Sequence, residues 1–232
     1  MPPCAAAPHH GVGAGLDPAG RPLTPPRRPA FDQRMVAEPA RHEHSRKHKV
    51  LVGRHAAAFD RASGIALRWL YRSVAQQVSA ELPPAGTVLD VGSGPGHLLV
   101  ELARRRPDIH LVGIDPSEDM VGHAMKRAAE ADLSDRVDAR VASAEKLPFR
   151  DGSFDAVVST LSAHHWSDVA AAVSEQARVL RPGGIVWIFD LRRGPAQEAA
   201  QRLEHDSSLT IEPARLSRIA SLLLVGYRAR RI

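Results

Sequence analysis

The segment Val88 to Leu98, VLDVGSGPGHL, limits what this chain can fold into more than any other stretch. Val88-Leu89-Asp90-Val91 is a short apolar run of the kind that forms a buried parallel strand. It ends in Gly92-Ser93-Gly94-Pro95-Gly96, after which Leu98, Leu99 and Leu102 recur at helical spacing. Glycines at alternate positions let the backbone turn sharply and bring its amides close to a ligand, with no Cβ in the way. The helix that follows points its positive end at the same place. A strand, a glycine turn and a helix in that order predict an α/β fold with a nucleotide-cofactor pocket. A dinucleotide fingerprint requires glycines at its first, third and sixth positions. Here the sixth is His97, and the third glycine arrives one residue early, at Gly96.

The remaining chain alternates strands and helices, as a doubly wound sheet requires. Leu111 to Ile114 is predicted as a second strand, with Asp115 at its end. An acid about 20 residues beyond the glycine turn is placed to accept both hydroxyls of a ribose. Pro116 to Met120 opens a helix with Ser117 as its N-cap and acids in its first turn. Val137 to Val141 alternates as a strand and runs into the loop Ser143-Ala144-Glu145. Phe154 to Ser159 is a fourth strand, and Ile185 to Phe189, entered by the loop Arg178 to Gly184, is a fifth. Ahead of the glycine turn, Leu70, Val74, Val78 and Leu82 mark one face of a helix from Asp60 to Leu82, stopped by Pro83-Pro84. Beyond Leu191, a helix over 195–205 precedes a final hairpin, Leu209 to Ile211 and Leu222 to Arg230; an amphipathic helix over 213–225 is the alternative.

VLDVGSGPGHL resembles the first motif of the class I S-adenosylmethionine (SAM)-dependent methyltransferases. GIDPSEDM, SAEKLPF, FDAVVS and RVLRPGG resemble its later motifs, in the family's order, across about Phe59 to Leu191. The likeness is greatest to small-molecule methyltransferases of the quinone-biosynthesis type. It implies a doubly wound, mostly parallel seven-stranded sheet with helices on both faces. The cofactor it implies is SAM, and the product is S-adenosylhomocysteine (SAH). Carried over residue by residue, it points to Asp90, Gly92, Ser93, Gly94 and Gly96 around the methionine half, with Asp90 orienting the ammonium group. Asp115, Pro116, Ser117 and Met120 would hold the ribose side, and Ser143, Ala144 and Glu145 the adenine. Ser159, Thr160 and Phe59 complete the cofactor set, with Phe59-Asp60 near the methionine carboxylate. Family members commonly carry an acid where this chain has Ser143, and a hydroxyl accepts from an adenine amino group more weakly than a carboxylate does. Ser159 to Trp166 follows the fourth strand and should face the acceptor. His164 and His165 there are candidate catalytic bases, since imidazole titrates near neutrality; packing is the competing role. Tyr71 and Arg72 are candidates for the substrate side of the helix before the glycine turn.

Charge excludes other functions. Residues 1–54 hold nine Lys/Arg and four Asp/Glu, while residues 55–232 hold 22 of each, so the whole formal +5 lies in the leader. The predicted domain thus lacks the clustered basic face that nucleic-acid binding demands, and an RNA methyltransferase is disfavoured. Residues 1–45 hold nine of the 18 prolines and are expected to be disordered. Residues 46–232 form the expected methyltransferase domain, with lid helices at 46–84, the cofactor core at 85–191, and the terminal helix and hairpin at 192–232. Cys4 is the only cysteine, so no intrachain disulfide can form. No apolar run reaches the ~20 residues of a membrane span, and the N-terminal residues lack the pattern of a signal peptide. A cytoplasmic protein acting on a small-molecule methyl acceptor, with a homodimer as the assembly to consider, is the expectation. HEHSRKH invites a metal reading, but its spacing offers no matching ligand set, so no metal is expected. A non-catalytic SAM-binding partner or regulatory protein is the principal alternative, and a nucleotide-dependent oxidoreductase a further one.

Overall fold

The structure is a computed structural model, and it describes residues 67–191, 194–205, 209–214 and 224–232. The proline-rich leader, HEHSRKH, Phe59-Asp60 and the beginning of the predicted first helix lie outside the described residues.

Helix α1 (Arg68–Glu81) precedes β1 (Thr87–Val91), α2 (His97–Arg105), β2 (His110–Asp115), α3 (Glu118–Glu130), β3 (Val137–Val141) and β4 (Phe154–Thr160). A 3-10 turn (Ala163–His165), α4 (Val169–Val179), β5 (Leu180–Leu191), α5 (Pro195–His205), β6 (Leu209–Pro213) and β7 (Leu224–Arg231) complete it. The seven strands form one sheet in the order β3-β2-β1-β4-β5-β7-β6. The first five are parallel, while β7 runs antiparallel between β5 and β6. The order reverses between β1 and β4, which makes the carboxyl ends of these strands the crevice where ligands enter such sheets.

All five residues of β1 are buried, as a strand covered on both faces requires. Val88, Leu111, Ala156, Val158 and Trp187 pack on one face with Leu70, Val74 and Val78 of α1 and Leu98 and Leu102 of α2. Leu89, Val112, Val157 and Val186 pack on the other with Val173 of α4 and Ala199 and Leu203 of α5. Helix α3 starts where Ser117 Oγ accepts from Met120 N (3.4 Å), ahead of Glu118 and Asp119 in the first turn.

Two elements differ from the sequence expectation. Leu180 to Gly184, expected as a loop, already belongs to β5: Leu180 pairs with Phe154 before the register shifts to Ala156 opposite Ile185. Arg181, hydrogen-bonded from Nη1 to both Asp155 carboxylate oxygens (2.8 and 2.7 Å), ties this stretch to the sheet. A Cβ on Gly184 would lie 2.9 Å from the Asp155 carbonyl oxygen, so the close approach needs glycine. At the C-terminus the hairpin strands form, with Leu209 opposite Arg231 and Pro213 opposite Tyr227. Pro213, Leu224 and Val225 are therefore in strands, which excludes them from a helix over 213–225.

Candidate functional site

The glycine turn lies at the carboxyl ends of β1 and β2. Gly92 N and Ser93 N both donate to the Ile114 carbonyl (2.9 Å each), and Gly94 N donates to Asp115 Oδ2 (3.0 Å). Gly92, Gly94 and Gly96 all have positive φ, at +72°, +51° and +79°. What surrounds them differs. A Cβ on Gly92 would fall 2.3 Å from Ser162 Cβ, and one on Gly96 2.9 Å from Ala124 Cβ, whereas one on Gly94 would meet nothing within 4 Å. Gly92 and Gly96 are thus held by packing, and Gly94 presents bare backbone to open space. Gly96 begins α2 in the left-handed conformation, with no side-chain cap. Arg127 Nε donates to the Pro95 carbonyl (2.8 Å) and pins the turn from α3.

Two acids border this opening. Asp90 is 1% exposed and its Oδ2 has no hydrogen-bond partner. Burial, with the Asp115 charge adding to it, pushes the Asp90 carboxyl up to about 8. A carboxyl so placed calls for a cation. Asp115 also accepts Ser117 N at Oδ1 (2.9 Å), and burial raises it too, against these backbone bonds. Thr160 Oγ1, at the end of β4, is buried without a partner. Ser93 Oγ is likewise unpartnered, and it packs against Gly113 of β2, where a Cβ would lie 2.6 Å from it. A cofactor carrying an ammonium group and hydroxyls fits this set: Asp90 could balance the cation, Thr160 could meet a polar atom, and the lone pairs left on Asp115 could accept hydroxyls, while the amides of Gly92, Ser93, Gly94 and Gly96 are already spent within the turn.

The other predicted residues fall around this core. Ser117 spends its hydroxyl on the α3 cap, Met120 is buried beside it, and Pro116 is exposed. Ser143 and Lys146 close a tight turn with Ala144 buried inside it. Glu145 Oε1 accepts Ser167 N (2.7 Å), Ser167 Oγ (3.0 Å) and Asp168 N (3.4 Å). Burial pushes Glu145 up, but these bonds outweigh it and hold the group low. Its carboxylate therefore ties this loop to the start of α4. Tyr71 of α1 stacks on His97 (5.5 Å between centroids), which brings α1 to the head of α2. Burial first, then the Asp90 charge, pushes the Tyr71 phenol up to about 12. Arg72 lies 3.5 Å from Glu101 of α2. Phe59 is outside the described residues. Among the described residues no three His, Cys, Asp or Glu side chains form a metal-ligating group.

Beyond β4 the chain makes a strained turn. Leu161 has φ +55°, a conformation costing a side-chain-bearing residue about 1 kcal/mol or more. Its amide donates to the Phe189 carbonyl (2.7 Å). Ser162 Oγ donates to the Val91 carbonyl (2.9 Å), so Ser159 Oγ is the donor in the 2.9 Å contact between the two hydroxyls. Ser162 thus wedges this turn against Gly92. His164 follows, with Nδ1 2.7 Å from Asp190 Oδ1 and its backbone amide donating to Asp190 Oδ2 (3.1 Å). The Asp190 hydrogen bond raises the imidazole above its ordinary value, against partial desolvation. The His165 ring is 4.1 Å from that of His164. Sequence reasoning missed Asp190, Ser162 and Arg127. Only the acid at the end of an apolar strand, Asp190, left a signal in the sequence.

Residues 89–188 match a family model described as a methyltransferase domain. A ubiquinone/menaquinone biosynthesis C-methyltransferase of Geotalea daltonii is 35% identical over 108 residues, covering 46% of this chain and 46% of that protein. A 27-O-demethylrifamycin SV methyltransferase of Amycolatopsis mediterranei is 39% identical over 109 residues, covering 47% of this chain and 40% of that one. The chain thus spans about half the length of these curated relatives. The crystal structure of a SAM-dependent methyltransferase from Aquifex aeolicus superposes with a TM-score of 0.62 at 22% identity, covering 76% of this chain and 98% of that one. The matched stretch runs from β1 to β5, the strands that carry the glycine turn, both acids and the turn after β4. Sheet order, glycine turn and family model agree on a methyltransferase domain over residues 89–188, with the fold of the SAM-dependent methyltransferase from Aquifex aeolicus.

Proposed function

We propose that this protein transfers the methyl group of SAM to a small-molecule acceptor at oxygen, nitrogen or an activated carbon. The observation that carries the reading is the unpartnered, buried Asp90 Oδ2 beside the open face of Gly94. Bound SAM would supply a methyl group made electrophilic by its positive sulfur. The protein's contribution is position and electrostatics. Asp90 balances the ammonium group, and the turn from Gly92 to Gly96 admits the methionine half. Asp115, already fixed by two backbone amides, accepts the ribose hydroxyls. Ser143 and Ala144 border the adenine, and Ser159 and Thr160 approach the reacting centre. His164 and His165 face the acceptor, which must lie about 3–3.5 Å from the methyl carbon, in line with the bond that breaks.

The two relatives are named for a quinone-pathway and a rifamycin methylation, which supports a small organic acceptor. The reading includes a cytoplasmic setting, lid helices within 46–84, and no nucleic-acid partner. The experiment is incubation with methyl-labelled SAM and a panel of quinols, phenols and amines, followed by mass spectrometry. Acceptor-dependent release of SAH with a product heavier by one methyl is expected. SAM binding without turnover on any acceptor would favour the non-catalytic alternative.

A further inference from the structure

We propose that the groove on the outer side of the α1–α2 pair is a binding site for a nucleoside polyphosphate, separate from the crevice at the glycine turn. The groove measures about 510 Å³ and is lined by Arg68, Trp69, Arg72, Ser73 and Gln76 of α1 and by Arg105 at the end of α2. A cleft of this size takes a small organic ligand. The five α1 residues fall on one side of the helix at about 3.6 residues per turn, and from Arg68 to Gln76 they run about 12 Å. The other side of α1 is spent on the core through Leu70, Val74, Ala75 and Val78.

Helix energetics do not account for the charges in this groove. Arg68 is the first residue of α1, where the positive end of the helix dipole opposes a cation, and the first turn holds no acid. Arg68 and Arg72 stand four residues apart, so two like charges repel along the helix. Arg72 has an anionic neighbour in Glu101, at 3.5 Å, whereas Arg68 and Arg105 have no ion pair among the described residues. Arg105 suits the dipole at the end of α2, yet it adds a third positive charge to the same groove. The groove is therefore positive, on a body that is neutral over residues 55–232 with 22 charges of each sign. A bound anion removes the conflict. The leader cannot supply it, since residues 1–54 carry nine Lys/Arg against four Asp/Glu.

The groove also offers a ring. Trp69 is 45% exposed, and an indole so placed is a platform on which a planar base stacks. Ser73 and Gln76 set neutral donors and acceptors beside it. Guanidinium forks match phosphate oxygens two at a time. One ring and several negative charges within about 12 Å of helix describe a nucleoside di- or triphosphate. A nucleic-acid strand draws its affinity from more phosphate contacts than three arginines provide. An acidic peptide would answer the arginines but has no base to lay on the indole.

The test is calorimetric titration of the full chain, with SAH present to occupy the crevice, against magnesium-free ATP, inorganic triphosphate, adenosine, a thymidine oligonucleotide and a polyglutamate peptide. ATP is expected to bind with a Kd below about 1 mM, at least about tenfold more tightly than triphosphate or adenosine. Arg68→Gln and Arg105→Gln should each weaken ATP about three- to tenfold, and Trp69→Leu should bring ATP down to the level of triphosphate, with Tm and SAH affinity unchanged. ATP bound no more tightly than triphosphate, or bound equally by the wild type and all three variants, overturns the proposal. So does an oligonucleotide or polyglutamate that binds more tightly than ATP, which would make the groove a nucleic-acid or protein contact instead.

Discussion

Gly94 and Gly96, two residues apart in one turn, should fail in opposite ways when each is replaced by alanine. At Gly96 two penalties add. A φ of +79° costs a side-chain-bearing residue about 1–2 kcal/mol. The new Cβ would also stand 2.9 Å from Ala124 Cβ and 3.0 Å from its Cα. Those atoms belong to the body of α3 and cannot swing aside, so overpacking adds about 1–3 kcal/mol. Gly96→Ala should therefore lose roughly 2–5 kcal/mol, a fall in Tm of about 5–15 °C for a domain of this size. Gly94→Ala carries the conformational cost alone, since its Cβ meets nothing within 4 Å. It should lose about 1 kcal/mol of stability, yet its methyl group enters the space assigned to SAM and should weaken binding at least about tenfold. Thermal unfolding by circular dichroism and SAM titration by calorimetry, run on both variants, separate the two effects. A Gly96→Ala protein as stable as wild type would refute the packing argument. A Gly94→Ala protein that binds SAM as wild type would refute the assignment of the open face.

Asp90, raised from an ordinary carboxyl value to about 8 by burial, binds its proton more tightly folded than unfolded. Apo stability should thus fall as pH rises from about 4 to 8, and Asp90→Asn should flatten that slope by several kcal/mol at most; parallel pH profiles of Tm for the two proteins would contradict it. Arg178 donates to the Leu147 and Phe149 carbonyls and pairs with Glu175 and Asp151. With its side chain 30% exposed, only part of that network is protected from solvent. Arg178→Ala should cost about 1–3 kcal/mol, seen as a lower denaturation midpoint in urea; an unchanged midpoint would show that the loop after β3 holds without it.

How far this architecture could be read from the chain depended on the range of the interactions that form it. The strand ending at Val91, the glycine turn and the Ser117 cap are written in neighbouring residues, and each forms where expected. The terminal hairpin was legible as two β-rich runs, although the residues between them lie outside the described ones. Asp190 stands out in the sequence only as an acid at the end of an apolar strand; its pairing was not legible, because its partner His164 lies 26 residues away and the two meet only once β4 and β5 are side by side. Ser162 likewise reads as an ordinary loop serine until β1 brings Gly92 against it. The early start of β5 was hidden by Pro182-Gly183-Gly184, which signals a turn, while the Arg181–Asp155 ion pair that holds it to the sheet is tertiary. Glu145 looked like part of a ligand loop, yet its hydrogen bonds turn it toward Ser167 and Asp168.

The central claim, that the crevice at Gly94 and Asp90 holds SAM, is most directly tested by calorimetric titration of the full chain with SAM, SAH and NAD. Saturable binding of both sulfur nucleotides in the micromolar range, with none of NAD, is the predicted result. Binding of neither sulfur nucleotide, or binding of NAD in their place, would contradict it.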